Sequence, residues 1–301
     1  MRLRNLIAAT YTPMNEDRSL NLDVIGSYGA YLSRNKVTAA FINGSTGDFA
    51  SLTVAERKSI VDTWATNKPA DFKLINHVGH TSLKVSKDLT HHSKEKVDAI
   101  ATLAPFYFKV DSIESLLYYC KEIAACAPQL PFYYYHIPVL TGANLKMSDF
   151  IKIAVEEIPN FAGLKFTKND LIDFKYCKDI ASDRLDVLFG VDEMFLPSLS
   201  MGAMGWVGST YNHLAPLYYK IKDAFERNDT ETAATLQTKA IRFVDILNGK
   251  GGFNGVAKGY MKTLGIDCGP SRFPHTTLLE NAYEEINKEL EAIGLLPYTN
   301  T

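Results

Sequence analysis

Two kinds of hydrophobic pattern alternate along this chain as far as about residue 210. Short, continuous apolar runs read as strands buried on both faces. Longer stretches, with apolar residues every three or four positions, read as amphipathic helices packed against them. Strands are predicted at 6–10, 39–43, 73–78, 98–103, 132–135, 162–166, 186–189 and 203–207. Helices are predicted between them near 21–35, 53–64, 82–94, 148–157, 170–180 and 193–200, with another opened by Asp111 or Ser112. Thr53 is a helix cap with Glu56 at capping-box spacing, and Pro105 stops the fourth strand. Beyond the eighth strand only helical patterns remain, near 215–227, 230–248, 255–264 and 276–293.

Eight strand–helix units in succession predict an α/β fold, a (β/α)8 TIM barrel with a C-terminal helical extension. The expected division is one domain, 1–301, with the barrel over about 1–225 and the extension over about 226–301. A doubly wound open sheet is the alternative. No GxGxxG follows the first strand, which argues against a dinucleotide-binding version of it. A net charge of -2 points away from nucleic acid and anionic membranes as partners. The apolar run at 6–9 is too short for a signal segment or a membrane span. The four cysteines lack CxxC spacing, so free thiols in a reducing, cytoplasmic setting are expected. A small-molecule enzyme fits these limits best.

In such a barrel the chemistry lies at the C-terminal ends of the strands. The stretch Ala162-Gly163-Leu164-Lys165-Phe166-Thr167 has Leu164 and Phe166 on one face and Lys165 and Thr167 on the other. Lys165 reads either as a buried amine with a shifted pKa or as a lysine reaching solvent. Gly44-Ser45-Thr46-Gly47 reads as a cradle for a carboxylate or phosphate, or as an ordinary turn capping the next helix. Tyr135 shares a face with Tyr133 and reads as a proton carrier or a core aromatic. Asp192 and Glu193 read as hydroxyl binders or as a solvated helix N-terminus, and spacing favours the latter. His77, His80, His91 and His92 lack zincin spacing, so no metal site is expected, and His77 reads as a core or supporting histidine.

Gly44-Ser45-Thr46-Gly47, Tyr135-His136-Ile137-Pro138 and Gly163-Leu164-Lys165 occur in this order at successive strand ends. Together they resemble the N-acetylneuraminate lyase and dihydrodipicolinate synthase superfamily of class I, Schiff-base aldolases. The similarity runs from about Leu6 to near the C-terminus. Gly190-Val191-Asp192-Glu193 and Gly208-Ser209-Thr210-Tyr211-Asn212 resemble the lyase branch, and Leu140 stands where the synthase branch carries an arginine. Asp48, His136, Phe166, Lys168 and Asn169 depart from the superfamily pattern, so fine specificity and pH dependence are the properties in question there.

The resemblance implies reversible cleavage of N-acetylneuraminate to N-acetylmannosamine and pyruvate. Lys165 would form the imine and Tyr135 would handle the proton of the C4 hydroxyl. Ser45 and Thr46 would hold the pyruvyl carboxylate. Thr167, the Gly190 backbone, Asp192, Glu193 and Ser209 would bind the sugar portion. A homotetramer is implied, with Tyr107 reaching a neighbouring subunit's site. No metal or organic cofactor is expected, because the lysine supplies the electron sink. The alternatives are a sister aldolase acting on another 2-keto acid, dihydrodipicolinate synthase included, a metal-dependent aldolase on the same barrel, and a non-catalytic sugar-acid-binding protein.

Overall fold

The apolar runs lie side by side, all parallel, and close into an eight-stranded barrel in sequence order. The computed structural model describes residues 2–301. The strands are β1 (Asn5–Ala9), β2 (Ala39–Ile42), β3 (Lys73–His77), β4 (Ala99–Leu103), β5 (Phe132–His136), β6 (Phe161–Phe166), β7 (Asp186–Phe189) and β8 (Gly205–Gly208). Helices α1 (Val24–Arg34), α2 (Val54–Asn67), α3 (Leu83–Ser93) and α4 (Ile113–Ala124) follow the first four strands. Then come α5 (Pro138–Thr141), α6 (Met147–Glu157), α7 (Leu171–Ala181), α8 (Phe195–Ser200) and α9 (Tyr211–Glu226). Three further helices, α10 (Thr230–Gly249), α11 (Phe253–Tyr260) and α12 (Glu280–Ala292), complete the chain.

Because strand side chains alternate, the barrel divides the buried residues into two cores. The outer core lies between strands and helices and holds Leu164, Phe166, Tyr134 and Trp206. The inner core fills the barrel with Ile7, Phe41, Tyr133, Tyr135, Leu188 and Val207. Small residues on the same inner face (Ala9, Ala39, Ala99 and Ala101) leave room for the aromatic rings. At the floor, Asp186 ties the barrel shut. Its carboxylate accepts from Tyr133 Oη at 2.8 Å, the Leu3 amide at 2.9 Å and Arg2 at 3.1 Å.

Gly163 is one position where the backbone demands glycine. Its φ is +147°, and a Cβ there would overlap the Asp186 carbonyl. The register between β5 and β6 shifts beside it, at Phe132/Tyr133, and is regular above, with Tyr135 opposite Lys165.

The caps follow from local chemistry. Thr53 and Glu56 form the reciprocal capping box that opens α2. At the fourth helix Ser112, not Asp111, accepts from the Ser115 amide at 3.2 Å. Several boundaries differ from the sequence expectation. The turn α5 was not expected; Pro138 supplies its first residue and Gly142, at φ +72°, stops it. Helix α9 begins at Tyr211 rather than near 215, kinked at Leu214 just before Pro216. Helix α12 starts at Glu280 rather than 276. Thr276 is held instead against Gly255 of α11, so closely that a Cβ at Gly255 would overlap its carbonyl.

The C-terminal helices reach back to the barrel mouth. Asn254 of α11 donates to the Ser45 carbonyl at 3.1 Å. Arg272 donates to the Ser51 carbonyl and to Glu56, both at 2.9 Å from Nη1. Among the described residues no helix is long and apolar enough to cross a membrane.

Candidate active site

Lys165 points into the barrel near its C-terminal mouth and is 4% exposed. Its Nζ lies 3.9 Å from the Tyr135 ring centroid and 4.4 Å from that of Phe41. The aromatic faces favour the cation only partly. Burial drives the amine down to about 7, with the negative charge of Asp192 opposing the shift. Near neutrality a large fraction of Lys165 therefore carries a free lone pair. Of the two sequence readings, the solvent-reaching lysine is excluded.

Tyr135 is 3% exposed, and burial pushes its phenol up to about 12. It stays protonated at neutral pH. Its Oη lies 3.5 Å from Ser45 Oγ. Edge contacts to Phe41 and His77, at 5.6 and 6.1 Å between centroids, hold the ring against Lys165.

Ser45 belongs to a tight turn between β2 and a single helical turn at Phe49–Ser51. The Asp48 amide returns to the Ser45 carbonyl at 3.0 Å, and the Thr12 hydroxyl donates to the Gly47 carbonyl at 2.7 Å. Among the described residues the amides of Ser45 and Thr46 meet no protein acceptor. Both residues are half-buried, so hydroxyls and amides face the mouth together, the donor arrangement an anion needs. Asp48 takes a left-handed conformation at φ +53° and bonds to Ser51 Oγ at 2.6 Å. His275 of the C-terminal segment stands 3.6 Å from its carboxylate.

Beyond the end of β6, two residues past Lys165, a cleft of about 510 Å3 opens between Pro138, Thr167, Gly190 and Glu193. Thr167 Oγ1 is buried without a hydrogen-bond partner among the described residues, and Gly190 packs so close that a Cβ there would collide with it. Glu193 is exposed at the rim. Asp192 is not. It is 5% exposed, which corrects the expectation of a solvated helix N-terminus for this residue. Its Oδ2 accepts from the Thr210 amide at 2.9 Å and the Thr210 hydroxyl at 2.7 Å, while Oδ1 has no partner. Burial raises its pKa, and the Thr210 bonds and Lys165 oppose that rise. Gly208 is the second glycine whose absent side chain matters, since a Cβ would overlap the Asp192 carboxylate. Ser209 is half-buried next to it, its carbonyl accepting from Asn212 at 2.7 Å.

The remaining departures separate cleanly. His136 and Phe166 face outward into the helical layer, with ring centroids 5.4 Å apart, and do not reach the mouth. His136 is fully buried with neither ring nitrogen bonded, and burial lowers it to about 4. Lys168 lines the cleft and pairs with Asp170 at 3.1 Å. Tyr107 is 77% exposed beside an equally exposed Phe108, so it is not a packed loop aromatic of its own chain. His77 is a core histidine as read, its Nδ1 2.7 Å from the Asn43 carbonyl. Sequence reasoning missed Phe41 and Asn254, and it placed Thr210 on the rim without its role toward Asp192. The first reads as plain core. The others act through contacts that have no local signature.

The family model described as "Dihydrodipicolinate synthetase family" matches residues 2–293. An N-acetylneuraminate lyase of Pongo abelii is 40% identical over 99% of this chain and 95% of its own length. That of Mus musculus is 40% identical over 97% of this chain and 91% of its own. The solved structure of Proteus mirabilis N-acetylneuraminate lyase superposes with a TM-score of 0.94 at 33% identity, covering 98% of this chain and all of that one.

Proposed function

The chain belongs to the dihydrodipicolinate synthetase family, and on that premise we propose that it is a Schiff-base aldolase that reversibly cleaves N-acetylneuraminate to N-acetylmannosamine and pyruvate. One observation carries this reading. A lysine amine with its pKa brought down to about 7 lies against a protonated tyrosine whose hydroxyl is 3.5 Å from the Ser45 hydroxyl, and a polar cleft lined by Thr167 begins two residues further along β6. A 2-keto sugar acid needs each of these: an amine for its ketone, donors for its carboxylate, and hydroxyl partners for its tail.

In the cleavage direction the lone pair of Lys165 Nζ attacks the C2 ketone of the open-chain sugar acid, and loss of water leaves a protonated imine. Ser45 and Thr46 hold the adjoining carboxylate. As the C3–C4 bond breaks, its electrons flow into the imine and the C4 hydroxyl proton must leave. Tyr135 is already protonated, so it accepts that proton only by passing its own onward, and the carboxylate beside Ser45 is the acceptor within reach. The enamine on Lys165 is then protonated at C3, and hydrolysis of the imine releases pyruvate. Thr167 Oγ1 and Asp192 Oδ1, both buried and unpaired, suit sugar hydroxyls, as do the Gly190 backbone, Glu193 and Ser209.

We place the enzyme in the cytoplasm, as one domain over 1–301 with the barrel over about 1–225 and the extension over about 226–301. All four cysteines are unpaired and buried, which suits a reducing compartment. The proposed assembly is a homotetramer, with exposed Tyr107 extending toward a neighbouring subunit's mouth. The test of function is direct. The protein is incubated with pyruvate, reduced with borohydride and mapped by mass spectrometry. A pyruvyl adduct on Lys165 is expected; adduct-free protein would overturn the reading in favour of a binding protein or a metal-dependent aldolase.

A further inference from the structure

The most deeply buried charged side chain among the described residues is Arg57, on α2, which is 1% exposed. Its guanidinium donates to two backbone carbonyls at the top of β3, Nη2 to His77 at 2.6 Å and Nη1 to Gly79 at 3.0 Å. Its Nε has no partner among the described residues. Among the described residues no aspartate or glutamate pairs with it; only the Tyr119 phenol favours its charge, and burial pulls it down to about 9. That still leaves it a cation at neutral pH. A buried cation without a counter-ion is costly.

Arg57 touches both ends of the turn that carries Ser45 and Thr46. At one end its own carbonyl accepts from Asn43 Nδ2 at 3.2 Å. At the other its guanidinium lies 5.2 Å from the Phe49 ring centroid. It also grips His77, whose Nδ1 meets the Asn43 carbonyl and whose ring packs on Phe49 at 4.7 Å and Tyr135 at 6.1 Å. One cation thus underlies the turn, the histidine and the proposed proton carrier.

We propose that Arg57 is a positioning residue for the Ser45–Thr46 cradle, and that its uncompensated positive charge selects a carboxylate-bearing substrate there. The inference rests on the aldolase reading above. A substrate carboxylate then supplies the negative charge that the protein withholds. In the free enzyme burial holds neighbouring His77 neutral, and the charge of Arg57 adds to that effect.

The experiment measures borohydride trapping of pyruvate and of its uncharged methyl ester by the full-length wild type, Arg57→Lys and Arg57→Met, with thermal unfolding of each. Wild type should trap pyruvate in preference to the ester. Arg57→Lys keeps the charge while losing one carbonyl contact, so it should retain that preference even if it unfolds at lower temperature. Arg57→Met should lose about tenfold of the preference, mostly as a higher half-saturating pyruvate concentration, so that pyruvate trapping falls further than ester trapping does. Should the methionine variant fail to fold, the lysine variant still decides: preference lost in a folded Arg57→Lys overturns the proposal. An unchanged preference in folded Arg57→Met overturns it equally and assigns Arg57 to structure alone. No trapping of pyruvate by wild type would instead strike at the aldolase reading itself.

Discussion

A lysine held at 4% exposure between two aromatic rings is an expensive group, and its cost is measurable. The folded pKa of about 7 lies below the unfolded value of 10.5, so the native state binds fewer protons. Stability linked to this group is therefore full above the unfolded value and falls as pH drops from 10.5 toward 7. Lys165→Met should be inactive yet more stable at pH 7, by roughly 2–4 kcal/mol in urea unfolding. A destabilised variant would mean the amine is well satisfied where it lies. Activity carries the opposite stake. Lys165→Ala should abolish turnover, whereas Tyr135→Phe should leave a residue, since positioned acid–base help contributes about 10²–10⁴ in rate. The neutral amine is the nucleophile, so pyruvate trapping by wild type should rise with pH through a midpoint near 7. A midpoint above about 9 would show a hydrated lysine.

At the scale of elements, the loops that carry the site are tied down from both sides. Thr53 and Glu56 open α2 just after the cradle, and Arg272 of the C-terminal segment pairs with the same glutamate. Thr53→Ala should cost about 1 kcal/mol in unfolding free energy while leaving pyruvate trapping nearly intact. The β8 end is less forgiving. Gly208→Ala places a Cβ in the Asp192 carboxylate, so weaker sugar binding is expected with the imine on Lys165 still formed. Equal KM values for N-acetylneuraminate in variant and wild type would show that Asp192 moves aside freely. Most of these elements were legible in sequence, since continuous apolar runs mark buried parallel strands and cap residues mark helix starts. Helix α12 was misplaced for a tertiary reason: packing against Gly255 holds Thr276 out of helix despite a helical pattern.

Across the whole molecule, buried neutral histidines should weaken the fold in acid. His136 and His213 are both fully buried, and burial lowers each from 6.5 to about 4. Their stabilisation is complete above the unfolded value and is lost as pH falls from 6.5 toward 4. Each contributes up to about 3 kcal/mol over that window. Denaturant unfolding at pH 7 and pH 4.5 should show the loss, and His136→Asn should flatten the curve by its share. An unchanged slope in that variant would mean His136 is hydrated in the native state. The division between local and global causes recurs in the site. Period-two alternation is a property of the backbone itself, so sequence alone determined that Lys165 shares a face with Thr167 and Tyr135 with Tyr133. It could not say how dry that face is. Burial, pKa and field sum over neighbours remote along the chain, so the barrel's closure decided that Lys165 is depressed to about 7. The same closure decided that Thr210 keeps Asp192 out of solvent and that Arg57 stands unpaired beneath the cradle.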